Sequence, residues 1–297
     1  MQPREIQFVW HPERAGAVLC LVPIVTTTAT VAAAAQSTAT ALSYWRASRA
    51  PRYSVLFALP LLLLYEALIA LRPARAGGLI NGADALLGMA ARAVAGVHGP
   101  LLFAGLLTGA GVWLVARDLS RTRGSLRPRV FALMFVESLA LAILFGVVVG
   151  WATAQLLGVL PSFASAASPP LDAVAIASAV TETSMGLRER LAMSLGAGLY
   201  EELFFRVILA GALAAGARLL FGWRPLGAGA FAAISSALLF SAFHYAGPFG
   251  EPFEVASFTY RAIAGLAFSL LYLTRGFGIT AWTHALYDVL VLVVLVR

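Results

Sequence analysis

Long apolar runs separated by short polar gaps make up most of the chain. A helix needs about 20 mostly apolar residues to span the hydrocarbon core of a bilayer, and a window of that order predicts seven spanning helices. These cover residues 54–72, 99–116, 130–152, 190–219, 226–245, 256–274 and 277–296. The pattern therefore predicts an all-α fold, a polytopic transmembrane bundle of about seven or eight helices.

Two further stretches interrupt this regular pattern. Residues 16–36 fit an eighth span, a cleaved signal peptide or a mis-assigned start, since arginines precede a short apolar run. Residues 79–99 contain too many polar side chains for a full span, which predicts an interfacial or re-entrant helix. The polar residues in this stretch are Asn81, Asp84, Arg92 and His98.

The predicted elements divide the chain into three parts. Residues 1–53 form an N-terminal segment with the candidate first span or signal peptide. Residues 54–160 hold the N-terminal spans and the interfacial helix, and residues 161–297 form a C-terminal helical core that begins with a proline-containing loop. The glycine pairs Gly105/Gly109 and Gly146/Gly150 have GxxxG spacing, which favours close helix approach, although glycine is common in membrane helices.

The composition agrees with a membrane protein: 60% of residues are hydrophobic, 12% are charged, and the mean hydropathy is +0.85, far outside soluble usage. The formal net charge is +7, yet the chain has no lysine and its arginines are scattered through the gaps. This distribution argues against a nucleic-acid partner. The single cysteine, Cys20, excludes an intrachain disulfide or a cysteine-based metal cluster.

Orientation follows from the arginines in the short gaps, because cytoplasmic loops carry the positive excess. One set of alternate gaps holds most of them: Arg46, Arg49 and Arg52, the five from Arg117 to Arg129, Arg218, Arg224 and Arg275. The gap at residues 247–254 holds two glutamates and no arginine. We therefore expect residues 117–129 to be cytoplasmic and residues 247–254 to be external.

Ionisable groups inside a membrane are costly, so they indicate function by default. Nine such residues are predicted here: Glu66, Glu137, Glu201, Glu202, Arg206, His244, Arg261, His284 and Asp288. Seven of the nine lie in the last 110 residues, which places the expected chemistry in the C-terminal half. For Glu66 and Glu137 we expect structural pairing with Arg261, the alternative being a place along a substrate path.

The densest cluster is Glu201-Glu202-x-x-x-Arg206 within one predicted span. At about 100° per residue, Glu202 and Arg206 lie about 40° apart on a helix and can form an i,i+4 ion pair. Glu201 lies about 140° from Arg206, without that partner. Because apolar surroundings disfavour a charged carboxylate, Glu201 is a candidate general base or acid. The alternative is a structural triad in which both acids neutralise Arg206.

Two later spans each carry a histidine with a partner one turn away. Phe240 precedes His244 by four residues, and His284 precedes Asp288 by four, so each pair shares a helix face. Taken alone, either pair is more typical of a structural contact than of a site. A carboxylate beside an imidazole can fix the ring tautomer, or both groups can face a common water or metal.

These three motifs, in order on successive spans from about residue 189 to 296, resemble the type II CAAX prenyl protease and bacteriocin self-immunity superfamily of intramembrane proteases, the CPBP family. In that family the first Glu and the first His activate a water, and the second His and an Asn stabilise the oxyanion. The resemblance implies that the catalytic residues are Glu201, His244, His284 and Asp288. It implies supporting roles for Glu202, Arg206 and Phe240.

This chain departs from the family pattern at Asp288, because an ionised Asp has no donor for an oxyanion. Asp288 must therefore be protonated, orient His284 or ligate a metal. The upstream run at residues 44–53 and the leucine-rich residues 56–64 are similar to the glutamic-type bacterial branch that includes the myxosortases. Members of that branch are thought to trim C-terminal sorting helices.

The leading functional hypothesis is an intramembrane endopeptidase with a Glu-activated water and a His-lined oxyanion site. It implies a membrane-protein or lipidated-peptide substrate and an integral protein of the bacterial inner (cytoplasmic) membrane. We favour a mechanism without a cofactor, the alternative being zinc held by Glu201, His244 and His284. Two other classes remain open: a proton-coupled transporter, and a non-catalytic membrane-peptide-binding or immunity protein.

Overall fold

The computed structural model describes residues 44–71, 81–121, 125–159, 186–247 and 250–295. Every regular element in these residues is helical, which confirms the predicted all-α class. Seven stretches are long and apolar enough to cross a membrane, as predicted. The candidate first span at 16–36, Cys20 and the loop at the start of the C-terminal core lie outside the described residues.

The helices are labelled in chain order. They are α1 (Pro51–Ala70), α2 (Gly82–Ala95), α3 (Gly99–Arg121), α4 (Pro128–Val159), α5 (Leu187–Gly196), α6 (Ala210–Phe221), α7 (Pro225–Phe243), α8 (Val255–Arg275) and α9 (Phe277–Val289). A short 3₁₀-helix, Gly96–His98, joins α2 to α3. Two π-helices continue α5 and α9, namely π1 (Ala197–Leu209) and π2 (Leu290–Leu295).

Helix α2 is the element predicted as interfacial or re-entrant. Asn81 caps it, because its side-chain oxygen accepts hydrogen bonds from the backbone N–H groups of Ala83 and Asp84, both at 3.0 Å. Helix α2 packs against α3 on one side and against π1 on the other. Since Asn81 is only 5% exposed, the N-terminal end of α2 lies inside the bundle.

Helix α9 is the centre of the bundle. It contacts α1, α4, α5, α8 and π1, and its residues Ile279, Ala281 and Ala285 are fully buried. The contact with π1 is close because Gly198 faces α9. A Cβ atom on Gly198 would lie 2.5 Å from the carbonyl oxygen of Ala281 and 2.6 Å from the Cβ of Ala285. The absence of a side chain at Gly198 therefore sets the spacing between π1 and α9.

The two GxxxG pairs differ in how closely other helices approach them. No atom lies within 4 Å of the Cβ position at Gly105, Gly109 or Gly150 in the described part of the chain, and the Cβ position at Gly146 meets the ring of Tyr287 at 3.2 Å. The reason for the first pair is that α3 lies at the edge of the bundle, where most of its side chains are exposed. In the described residues the close approach that GxxxG spacing allows therefore occurs at Gly146 and not at Gly105, Gly109 or Gly150.

Arginines from different helix ends lie at the same end of the bundle. The Nε atom of Arg52 lies 3.3 Å from Asp118 Oδ2, which joins the start of α1 to the end of α3. The guanidinium of Arg275, at the end of α8, lies 3.9 Å from the ring centroid of Trp45. The position of these arginines at one end of the bundle matches the predicted alternation of arginine-rich gaps. That this end faces the cytoplasm stays a prediction.

Candidate active site

Helix π1 carries the adjacent glutamates and the arginine. Its backbone hydrogen bonds join residues i and i+5. This arrangement is rare in proteins overall, and where it occurs it is often at a functional site. A π-turn is wider than an α-turn, so neighbouring side chains lie closer together around the axis. Glu201 is 8% exposed, Glu202 0% and Arg206 2%. Both carboxylates therefore face into the bundle, which the α-helical geometry assumed from the sequence does not predict.

Glu202 connects two helices through one oxygen. Its Oε1 atom lies 3.0 Å from Arg206 Nη1, which is the predicted i,i+4 ion pair, and 2.7 Å from Nδ1 of His284. The guanidinium of Arg206 also lies 4.6 Å from the ring centroid of Phe240 and 5.4 Å from that of Phe268. Glu202 thus holds π1 to α9 at the level of His284.

His284 lies between two carboxylates and against an aromatic ring. Its Nε2 atom is 3.6 Å from Asp288 Oδ2 on the opposite side from Glu202, so the predicted shared face of His284 and Asp288 is present. The imidazole is stacked on Phe268, with ring centroids 4.4 Å apart and planes at 19°. These contacts fix the plane of the ring and direct Nε2 towards Asp288.

His244 follows the last residue of α7 and has a defined hydrogen-bond partner. Its Nδ1 atom lies 2.9 Å from the carbonyl oxygen of Phe240. Because a carbonyl only accepts, Nδ1 carries the hydrogen, and Nε2 of the neutral ring is an acceptor. The ring of Phe240 lies 5.1 Å from that of His244 and 6.3 Å from that of His284. The ring of Phe240 therefore lies near both histidines.

Glu201 is held from the other side of π1 by a residue that the sequence motifs do not include. The amide nitrogen of Asn81 donates to Glu201 Oε1 at 3.1 Å. Glu201 also lies close enough to His244 and His284 to interact electrostatically with both. From the sequence, Asn81 reads only as an interruption of a span; its position just before an apolar stretch, with Asp84 in the first turn, is the available helix-cap signal.

The expected pairing of Glu66 and Glu137 with Arg261 is wrong. Arg261 binds Glu251 in the preceding loop, with N–O distances of 2.7 and 2.8 Å, because it lies near the start of α8. Glu137 instead forms a two-point contact with Arg275 at 2.5 and 2.6 Å. Glu66 is likewise engaged elsewhere, since it accepts a hydrogen bond from a tyrosine of π1.

The alternative in which zinc is bound requires several ligand side chains grouped around one point. Among the residues that the structure describes, no three His, Cys, Asp or Glu side chains are grouped so that they could hold one metal ion. The arrangement of Glu201, His244 and His284 in the described residues therefore does not fit a shared zinc. Ser241, near His244, donates its hydroxyl to the carbonyl oxygen of Phe258 at 2.7 Å, as a structural serine does.

Residues 184–290 match the model of the family described as Rce1-like, type II CAAX prenyl endopeptidase Rce1-like. The matched segment covers about a third of the chain, from α5 to the end of α9, and includes only the first residue of π2. None of the curated proteins and none of the solved structures matches the chain. The match confirms the predicted resemblance over residues 184–290, and the seven span-length apolar helical stretches support an integral membrane protein. Its place in the glutamic-type bacterial branch stays a prediction.

Proposed function

We propose that the chain is an intramembrane endopeptidase of glutamic type. The observation that carries this proposal is the difference between two adjacent buried carboxylates. Glu202 contacts Arg206 and His284, whereas the hydrogen bond described for Glu201 comes from the neutral amide of Asn81. Because Glu202 Oε1 already contacts both of these partners, Glu201 is the carboxylate that is available to a water molecule. Glu201 is therefore the group that takes a proton.

In the proposed first step, Glu201 removes a proton from a water molecule, whose oxygen attacks the carbonyl carbon of the scissile peptide bond. The Nε2 atom of His244 accepts the second hydrogen of that water, an acceptor role that the Nδ1 contact with the carbonyl of Phe240 supports. Holding the water from two sides orients its lone pair towards the carbonyl carbon, which lowers the entropic part of the barrier.

The developing oxyanion then faces His284 and Asp288. Donation from His284 Nε2 requires a doubly protonated ring, since Nδ1–H is engaged by Glu202; the charge of Glu202 stabilises that form. A protonated Asp288 supplies the second donor. When the intermediate collapses, Glu201 returns its proton to the leaving amine nitrogen. The products are a carboxylic acid and a free amine, and no covalent enzyme intermediate forms.

The proposed substrate is a membrane protein or a lipidated peptide, cleaved near its C-terminal or membrane segment. Glu201, Glu202 and His284 lie within a bundle of membrane-spanning helices, so a substrate must present its scissile bond at membrane depth. A low-dielectric site of this kind strengthens each electrostatic contact to the reacting atoms. The proposed location is a bacterial inner membrane, as the resemblance to the intramembrane protease family implies.

The test uses purified protein and a peptide library with C-terminal hydrophobic helices, with products read by mass spectrometry. Glu201→Gln keeps the shape of the side chain and removes the base, so we expect loss of turnover with little loss of folded protein. Glu202→Gln should lower stability as well, by about 3–5 kcal/mol, because Arg206 loses its buried partner.

Glu254→Gln is the matched control, since it makes the same chemical change at an exposed residue that precedes α8 and whose side chain forms no cap hydrogen bond. It should leave turnover unchanged. Wild-type activity in Glu201→Gln would refute the proposed mechanism, because Glu201 would not be the base. Binding of the same peptides without cleavage by the wild-type protein would instead favour a non-catalytic membrane-peptide-binding protein.

A further inference from the structure

Asn81 joins the N-terminus of α2 to the carboxylate of Glu201. Asn81 lies outside the segment 184–290 that matches the family model, in a part of the chain that carries no family motif. Yet its side chain is buried and its amide nitrogen lies 3.1 Å from Glu201 Oε1. The contact is long-range in sequence, since the two residues are 120 positions apart.

The orientation of the Asn81 amide follows from its partners. Its oxygen accepts the backbone N–H groups of Ala83 and Asp84, both at 3.0 Å. An oxygen cannot donate to a carboxylate, and an amide nitrogen cannot accept from a backbone N–H. The flipped amide would therefore lose both sets of hydrogen bonds, which leaves the NH₂ group directed at Glu201.

The start of α2 is itself fixed in place by neighbouring helices. The hydroxyl of Tyr65, from α1, donates to Asp84 Oδ2 at 2.7 Å. Gly196, at the end of α5, leaves room for both neighbours: a Cβ there would lie 2.6 Å from the Tyr65 ring and 3.3 Å from the Cβ of Asn81. Contacts among α1, α2 and α5 therefore fix the position of the Asn81 amide that donates to Glu201.

We propose that Asn81 is a positioning residue for the catalytic carboxylate, so that α2 is a functional part of the site. Its amide fixes one oxygen of Glu201, which leaves the other directed at the water. The positive end of the α2 dipole acts in the same sense, because it favours negative charge at the helix N-terminus. This inference rests on the proposed role of Glu201 as the base.

The first test compares Asn81→Asp with Asp84→Asn. Aspartate caps a helix as well as asparagine does, but it has no amide donor and places a second carboxylate beside Glu201. We expect kcat to fall on the order of 100-fold, the cost of a misplaced catalytic group, with KM nearly unchanged. Asp84→Asn alters a residue in the same turn and still accepts from Tyr65, so its kcat and KM should remain close to wild type.

The second test needs no turnover. Asn81→Asp should lower the midpoint of thermal unfolding in detergent, because two carboxylates face each other. In the double variant Asn81→Asp/Glu201→Gln the new amide donates to the new carboxylate, so the midpoint should rise above that of Asn81→Asp alone. A double variant no more stable than Asn81→Asp would overturn the contact on which the inference stands.

The two proposals fail in distinguishable ways. If Glu201→Gln remains active, the base assignment falls, and the positioning role falls with it even when the stability rescue is seen. If Glu201→Gln is inactive but Asn81→Asp keeps the wild-type kcat, only the positioning role is overturned. Inactive Glu201→Gln, a lowered kcat in Asn81→Asp and a rescued midpoint together support both.

Discussion

Asp288 is the residue whose chemistry the site geometry constrains most directly. Its carboxylate lies 3.6 Å from Nε2 of His284, on the same face of α9 one turn further along. An Asn at this position could donate to an oxyanion, whereas an ionised Asp offers no hydrogen. The two remaining roles within the proposed mechanism are donation by a protonated Asp288 and orientation of His284 by a charged one.

The substitution Asp288→Asn separates these two roles. If Asp288 donates, the amide supplies an N–H at the same place, and kcat should be retained or raised. If the charge is needed to orient His284, kcat should fall about 10–100-fold, as for other indirect partners of a site. We expect the first result in the peptide cleavage assay. Tightly bound zinc in active wild-type protein, lost with the substitution, would contradict both roles and indicate a metalloprotease.

At the scale of single residues, the sequence predicts contacts within one helix and misses contacts between helices. The pairs Glu202–Arg206 and His284–Asp288 follow from i,i+4 spacing alone. The bond from His284 to Glu202 joins residues 82 positions apart, and its partner choice depends on how π1 packs against α9. No local spacing encodes that packing. For the same reason, the expected partner of Arg261 is wrong.

Gly198 is the element-scale feature on which the site depends. Because its missing side chain lets π1 approach α9, Glu202 on π1 reaches His284 on α9 at 2.7 Å. Any atom added at Gly198 must push the two helices apart or distort one of them. The site geometry is therefore coupled to the packing of a residue that takes no part in the chemistry.

Gly198→Ala should destabilise the protein and lower its activity. Overpacking of a tight contact costs about 1–3 kcal/mol, which exceeds the gain of about 1 kcal/mol expected from alanine in a helix. The control is Gly105→Ala, where no atom of the described residues lies within 4 Å of the added carbon. Thermal unfolding in detergent should show a lower midpoint for the first variant and an unchanged or higher one for the second. Equal midpoints would contradict the packing argument.

In this chain, the sequence predicts where the helices lie better than it predicts whether a helix is of the α or the π type. The seven apolar stretches appear as seven span-length helical stretches because length and hydropathy alone decide whether a segment enters the bilayer. The π-helical form of residues 197–209 has no comparable signal, since length and hydropathy do not distinguish a π-helix from an α-helix. The capped start of α2 is intermediate: its polar residues mark an interruption, but not what they contact.

At the scale of the whole molecule, helix ends are sorted into two groups. Arg52 and Arg275 lie at the end of the bundle that contains the end of α3 and the start of α9. His244 lies just beyond α7, next to the loop that the arginine count predicts as external, whereas His284 lies about half-way along the span Phe277–Val294. This difference in depth is consistent with a site closer to the external end.

The predicted topology therefore has a consequence for function. Reporter fusions at Ser125 and Gly250 test it: a reporter active only in the cytoplasm should work at Ser125 and fail at Gly250, because positively charged gaps are retained inside. The reverse fusion pair, with a reporter active only outside, is the internal control and should give the opposite pattern. Cytoplasmic activity at Gly250 would overturn the orientation and move the proposed cleavage site towards the cytoplasmic leaflet, whereas the expected pattern places it nearer the external one.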